Sequence, residues 1–183
     1  MSTEELNLIE ESCSVFEKHL TKFYLHNSSN NPYYNYLIDI KNMNLNPMFY
    51  IDIKESKKIL KKIKKSSLFD KIFTNEYYLQ NFNEEGITIN GDNYSLNYPT
   101  DLYYVNFKGE LLNCIRKNED NSFLSGYTEI MVNEADLDPI TRSRMILSTI
   151  PMKDFNKSSV KMIITFQFYY ELLLILEKNE NQK

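Results

Sequence analysis

From Val160 to Leu176 every even-numbered position is apolar: Val160, Met162, Ile164, Phe166, Phe168, Tyr170, Leu172, Leu174 and Leu176. The odd positions mix both kinds, with Lys161, Thr165, Gln167 and Glu171 set among Ile163, Tyr169, Leu173 and Ile175. A period of two sends alternate side chains to opposite faces of an extended chain, so the segment predicts a long strand with one greasy face. A helical reading competes. Tyr169, Leu172, Leu173 and Leu176 also fit helical spacing, and Leu and Glu are good helix formers. A strand over the whole stretch would run to about 56 Å, far beyond the usual length. The favoured expectation is a bent or bulged strand, or one that turns helical near Tyr170.

The opposite end of the chain has helical periodicity. Ser2 and Glu5 stand at capping-box spacing, and Leu6, Ile9, Cys13, Phe16, Leu20 and Phe23 then recur every three or four residues. That predicts one long amphipathic helix, ended by Ser28-Ser29-Asn30-Asn31-Pro32. Between Pro32 and Ile53 the pattern suggests a short helix near Tyr36–Ile40 and a short strand at Met48–Ile51. Asp52 and Glu55 repeat the capping spacing and open a second helix. Its narrow apolar face is Ile59, Leu60 and Ile63, and seven lysines between Lys54 and Lys65 cover the rest. Ser66-Ser67 starts a third helix, with Leu68, Phe69, Ile72, Phe73, Tyr77, Leu79 and Phe82 inward and Gly86 as its stop.

After Gly86 the texture becomes that of strands. Ile87–Asn90 and Tyr94–Tyr98 flank Gly91-Asp92 as a hairpin, and Leu102–Phe107 with Leu111–Arg116 flank Lys108-Gly109 as a second. Tyr127–Val132 predicts another strand, Asn133–Asp138 an acidic loop, and Arg142–Ile150 either helix or strand. The fold class expected is α+β, with amino-terminal helices packed on a curved antiparallel sheet. Residues 1–183 read as one domain with a frayed polar tail from about Lys178.

Composition narrows the classes. The apolar fraction of 42% with 14% aromatic residues, from fourteen Tyr and eleven Phe without Trp, is ample for a core. A net charge of −4 argues against a general nucleic-acid binder, which needs surplus Lys and Arg. Met1-Ser2-Thr3-Glu4-Glu5 lacks the features of a signal peptide, and charges interrupt the best apolar stretch, so no membrane helix and a cytoplasmic setting are expected. Cys13 and Cys114 lie in different predicted elements and read as a reduced pair, both packed in the core.

No motif specifies a chemistry. His19 and His26 are seven apart on one predicted helix, about 10.5 Å along its axis, whereas two ligands to one metal want a spacing of four. They read as surface or rim histidines, and no metal site or cofactor is expected. Four glycines leave no phosphate loop and no nucleophile elbow. Glu134, Asp136 and Asp138 alternate as in a calcium loop but lack its Gly and distant Glu, so they read as a solvated loop. The lysine run of the second helix has no interleaved aromatics for base stacking and reads as a solvated face. Tyr33, Tyr34 and Tyr36 read as half-buried core. Asp101 with Glu129 would be an acid–base pair if a cavity brought them together.

The order of elements, helix then short helices then antiparallel strands, resembles the cone-shaped NTF2-like (cystatin-like) fold. Within it, Lys57–Phe82, with Leu68-Phe69-Asp70-Lys71-Ile72-Phe73 after a lysine-rich helix, is similar to the same region of small bacterial NTF2-like proteins. That resemblance implies a curved sheet, and some members are cytosolic immunity proteins that neutralise a toxin. The leading expectation is a non-enzymatic protein that binds another protein, a basic toxin for instance, through Tyr98, Asp101, Tyr103, Glu129, Glu134 and Asp136 on an acidic, aromatic sheet face. A homodimer is compatible with this, and neither nucleic acid nor membrane is expected as a partner. One alternative is a small-molecule binder or acid–base enzyme using the cone's cavity. The other, to which the helical reading of Tyr170–Leu176 points, is an all-helical interaction protein such as a viral Bcl-2-like fold.

Overall fold

The computed structural model describes residues 1–24, 31–75, 87–89, 92–94, 103–118, 122–133 and 137–181. In them the chain is built from helices, and the α+β cone is overturned. Helix α1 spans Thr3–Tyr24, α2 Pro32–Lys41, α3 Lys54–Lys64 and α4 Leu68–Ile72. After them come α5 (Glu110–Asn118), α6 (Ser122–Asn133), α7 (Pro139–Thr149), α8 (Ser158–Ile164) and α9 (Glu171–Asn181). The strands are short: β1 (Phe73–Thr74) pairs with β4 (Tyr104–Val105), and β2 (Ile87–Ile89) with β3 (Asp92–Tyr94), both antiparallel. No curved sheet exists among the described residues, so the NTF2-like resemblance does not hold.

The stretch expected to be a long strand is helical throughout. A π-helical segment, Thr165–Tyr170, joins α8 to α9, giving one central helix over residues 158–181. All six residues of the π segment are buried. Alternation misled because it reports a face only when the other face is wet, and here α1, α8's neighbours and β4 surround the helix. Odd-numbered Ile163, Tyr169 and Leu173 are as buried as even-numbered Ile164, Phe166 and Tyr170. The π segment's widened turn also leaves backbone groups to other partners. The Phe168 carbonyl accepts from the Tyr36 hydroxyl at 3.1 Å, and Thr165 Oγ1 donates to the Lys161 carbonyl at 2.7 Å. Ser158–Glu177, 20 residues with a mean hydropathy of 1.4 in its most apolar window, is long and apolar enough to cross a membrane, which the sequence reading had excluded. In this fold 67% of that window is buried inside the protein.

Other predicted strands are helices for related reasons. Leu111–Arg116 lies in α5, Tyr127–Val132 in α6, and the ambiguous Arg142–Ile150 largely in α7. Lys108-Gly109 is the turn into α5 rather than a hairpin tip. A Cβ at Gly109 would lie 2.5 Å from the Lys71 carbonyl oxygen, so only glycine lets the two segments approach. Met48–Ile51, expected as a strand, belongs to a 3-10 turn over Pro47–Tyr50 and its cap. A hairpin does pair Ile87 with Tyr94, but its second strand is Asp92–Tyr94: Asp92, expected in the turn, pairs with Ile89, and the strand expected onward to Tyr98 lies outside the described residues. The third helix stops at Ile72; Phe73, expected to continue it, lies in β1 instead, and residues 76–86 of the expected helix lie outside the described residues.

The amino-terminal reading survives better. Ser2 Oγ accepts from the Glu5 amide at 3.2 Å and Glu5 Oε2 accepts from the Ser2 amide at 2.7 Å, the reciprocal bonds of a capping box. Asn31-Pro32 and Asp138-Pro139 open α2 and α7 with one-way caps. Each side chain accepts from the amides of the second and third residues after it, and each proline fills a position needing no donor. Asp52 does not cap α3, which starts at Ile53 without a side-chain cap, because Asp52 turns to Lys22 at 3.0 Å. Helix α2 ends in a Schellman motif: the Asn44 amide bonds the Asp39 carbonyl at 2.8 Å and the Met43 amide the Ile40 carbonyl at 3.0 Å. Met43 therefore sits at φ 52°, where glycine is usual.

The core is aromatic. Phe16 of α1 stacks on Tyr169 at 4.3 Å and meets the edges of Tyr33 and Tyr36 at 5.6 and 5.3 Å. Tyr33 and Tyr36 are fully buried and Tyr34 half-buried, somewhat deeper than expected for the first two. Tyr169 donates to Ser56 Oγ at 2.7 Å, so the hydroxyl that burial would leave costly is satisfied.

Candidate functional site

Three groups of side chains have the residue types a site needs. The first is buried at the middle of the central helix. Arg142 of α7 and Glu171 of α9 are each under a tenth exposed and pair at 2.5 Å, while the Val105 amide of β4 donates to Glu171 Oε2 at 2.9 Å. The guanidinium lies 5.8 and 5.6 Å from the ring centres of Phe107 and Phe168. One turn earlier, Tyr127 of α6 donates to Gln167 Oε1 at 2.6 Å, and Gln167 Nε2 has no partner among the described residues. Burial holds the Tyr127 hydroxyl well above its ordinary pKa. This cluster joins β4, α6 and α7 to the central helix and is closed to solvent, so its role is positional.

The second is an open cleft of about 370 Å³ between α1 and the start of α3, and it holds a histidine with two carboxylates. His19 is buried, contrary to the expected surface or rim position. Its Nε2 is 2.6 Å from the Phe49 carbonyl and its ring packs 4.5 Å from Phe49. Burial lowers its pKa. Asp52 and Glu55 are both well exposed and engaged by Lys22 and Lys18, at 3.0 and 3.3 Å. The hydrogen bond from Lys22 lowers the Asp52 pKa further. A general acid or base wants a pKa near neutrality, and these contacts move Asp52 away from it. His26 lies outside the described residues, and no group of three metal-binding side chains occurs among those described.

The third is an apolar groove. Leu6 and Ile9 come from one face of α1, Leu111, Cys114 and Ile115 from one face of α5, and Ser159 and Met162 from α8, with Met1 at the end. Each set is spaced three or four apart, so three helices present aligned stripes around a cavity of about 170 Å³. Leu6 is 46% exposed, leaving the groove's lip apolar and wet. Cys114, expected in the core of a strand, is exposed in this groove because its segment is helical. Cys13 stays in the α1 stripe, where burial raises its thiol to about 11, and neither cysteine forms a disulfide.

A polar lock fixes one wall of the groove. Lys71 of α4 reaches Glu5 at 3.0 Å and Glu110 of α5 at 3.1 Å, and Ser67 donates to Glu5 Oε1 at 2.7 Å. The Ser67 hydroxyl, the Ser2 amide and Lys71 together hold the Glu5 carboxyl down at about 2. The capping box therefore both starts α1 and ties it to α4 and α5.

No protein family, curated protein or solved structure matches this chain. The site thus rests on its own geometry.

Of the six residues expected to form a docking face, Tyr98, Asp101, Glu134 and Asp136 lie outside the described residues. Tyr103 precedes β4 and packs edge-on to Phe69 at 4.9 Å, and Glu129 is exposed on α6. The sheet that would have united them is replaced by helices. The Asp101–Glu129 pairing likewise falls partly outside the described residues. Asp138, taken as part of an acidic loop, is the α7 cap. The groove has no trace in the sequence reading because one of its walls, α5, reads as a strand; once α5 is helical, Leu111, Cys114 and Ile115 share a face.

Proposed function

We propose that this is a non-enzymatic interaction protein, a mostly helical module of the Bcl-2-like kind, that holds an apolar helical segment of another protein in the α1–α5–α8 groove. The observation that supports it is the groove itself: eight lining residues with no carboxylate or histidine among them, and a wet apolar lip. Small-molecule sites typically occupy roughly 300–1,000 Å³, so a cavity of about 170 Å³ suits one or two anchoring side chains better. An amphipathic helix supplies such anchors at i, i+3 or i+4, and i+7. The helical course of residues 158–181 favours this reading over a toxin-neutralising sheet face. The His19 cleft gives less support to acid–base catalysis, since its carboxylates are tied to lysines.

Fluorescence polarisation against a panel of labelled amphipathic helical peptides tests it. Saturable binding is expected, lost in Leu6→Asp and Cys114→Arg and blocked by prior maleimide capping of Cys114. Binding by none of the peptides, or binding indifferent to all three changes, would refute the assignment.

A further inference from the structure

We propose that the outer face of α3, together with the apolar side chains just before it, docks on an anionic lipid surface. Lys54, Lys58, Lys61 and Lys65 are spaced four, three and four apart, which places them in one line about 16 Å long on the helix. All four are exposed, and none has a carboxylate hydrogen-bonded to it among the described residues. The flanking lysines differ: Lys62 is bound to Glu11 at 2.7 Å and Lys64 to Glu177. The pairing neutralises the edges of the helix and leaves Lys58, Lys61 and Lys65 as the charged ridge, with Lys54 at its end beside Asp52, on a chain whose net charge is −4.

In the chain just ahead of that ridge stand large apolar side chains in water. Met48 is 59% exposed and Ile51 67% exposed, and the 3-10 turn between them stacks positions three apart on one side. Ile51 is three residues from Lys54. Met43, in the same connection, is 81% exposed at its left-handed position, where glycine would relieve the strain. Exposed aliphatic side chains ahead of a line of lysines with no hydrogen-bonded carboxylate match an interface of acyl chains beneath anionic headgroups. A single-stranded nucleic acid would want aromatic platforms, and the exposed residues here are Met and Ile. No ridge residue lines the apolar groove, so the two surfaces act independently.

Flotation of the full chain with phosphatidylcholine vesicles, with and without phosphatidylserine, is the test. Binding is expected only with phosphatidylserine and is released by salt. Lys58→Gln with Lys61→Gln should lower partitioning about 30-fold. Met48→Asp with Ile51→Asp should weaken it at unchanged lipid charge. Met43→Gly should raise the melting temperature and yet reduce flotation. No flotation with phosphatidylserine, equal flotation with neutral vesicles, or flotation unchanged in the lysine pair would overturn the proposal. So would a ridge that binds poly-glutamate or single-stranded RNA while ignoring vesicles. All these side chains are exposed, and circular dichroism of each variant separates lost docking from lost fold. A Leu6→Asp variant should float normally, which keeps failure of the groove distinct from failure of the ridge.

Discussion

Helix α3 and the central helix at residues 158–181 meet solvent in opposite ways. On α3 the buried residues are Ser56, Ile59, Leu60 and Ile63, and six lysines with Glu55 fill the remaining arc. On the central helix every residue from Val160 to Leu174 is buried or partly buried, including Thr165, Gln167 and Glu171. A one-sided helix announces itself by its stripe, whereas one enclosed on all sides carries no periodic signal. The enclosed helix also has to satisfy its polar side chains internally. Glu171 does so through Arg142 and Val105, and Gln167 at its Oε1 through Tyr127. Sensitivity to substitution should therefore differ sharply between the two.

The largest effect is expected at the buried ion pair. Arg142→Ala leaves Glu171 charged and enclosed, and should cost about 3–5 kcal/mol in denaturant unfolding. Replacing both partners, Arg142→Met with Glu171→Leu, should cost much less than the single change; an equal or greater loss would mean the pair is not enclosed as described. Truncation of a side chain in the wall of the same helix, Ile163→Ala, should cost about 2–5 kcal/mol. Tyr127→Phe removes only the hydroxyl donated to Gln167 and should cost about 1 kcal/mol. At the other extreme, Lys58→Ala on α3 should fall within about 0.5 kcal/mol of the parent chain. If Lys58→Ala matched Ile163→Ala, the contrast would dissolve.

A pH dependence sharpens the boundary between the two helices, where His19 lies. Burial lowers its folded pKa below 6.5, so as pH falls through that value the unfolded chain takes up a proton that the folded one refuses. Stability from this source is complete above that pH and is lost as acid is added. Thermal melts of the parent chain and of His19→Asn should differ most near pH 7.5 and draw together as the pH is lowered below 6.5. A parallel pair of curves would show His19 to be freely protonated in the folded state.

How far the sequence was legible follows from the same contrast. The stripe on α1, its capping box, and the Ile59, Leu60 and Ile63 face of α3 were readable because each has a polar counter-face. The central helix, α5 and α6 were misread as strands. In α5, Leu111-Leu112 and Ile115 gave too short an apolar run to separate a period of two from one of 3.6. The groove depends on that distinction, and Cys114 moved from core to surface with it. Pairing across long separations, such as Arg142 with Glu171 or Lys71 with both Glu5 and Glu110, leaves no local trace in the chain. The lysine ridge was visible as composition, but the exposed Met48 and Ile51 beside it were hidden in a predicted strand.

Amide hydrogen exchange resolved along the chain tests the enclosed helix most directly. Amides of residues 163–174 should be the slowest of all, opening only with global unfolding, while those of α3 exchange through smaller local openings. Residues 163–174 exchanging as fast as α3, or with the alternate protection of an edge strand, would contradict the account.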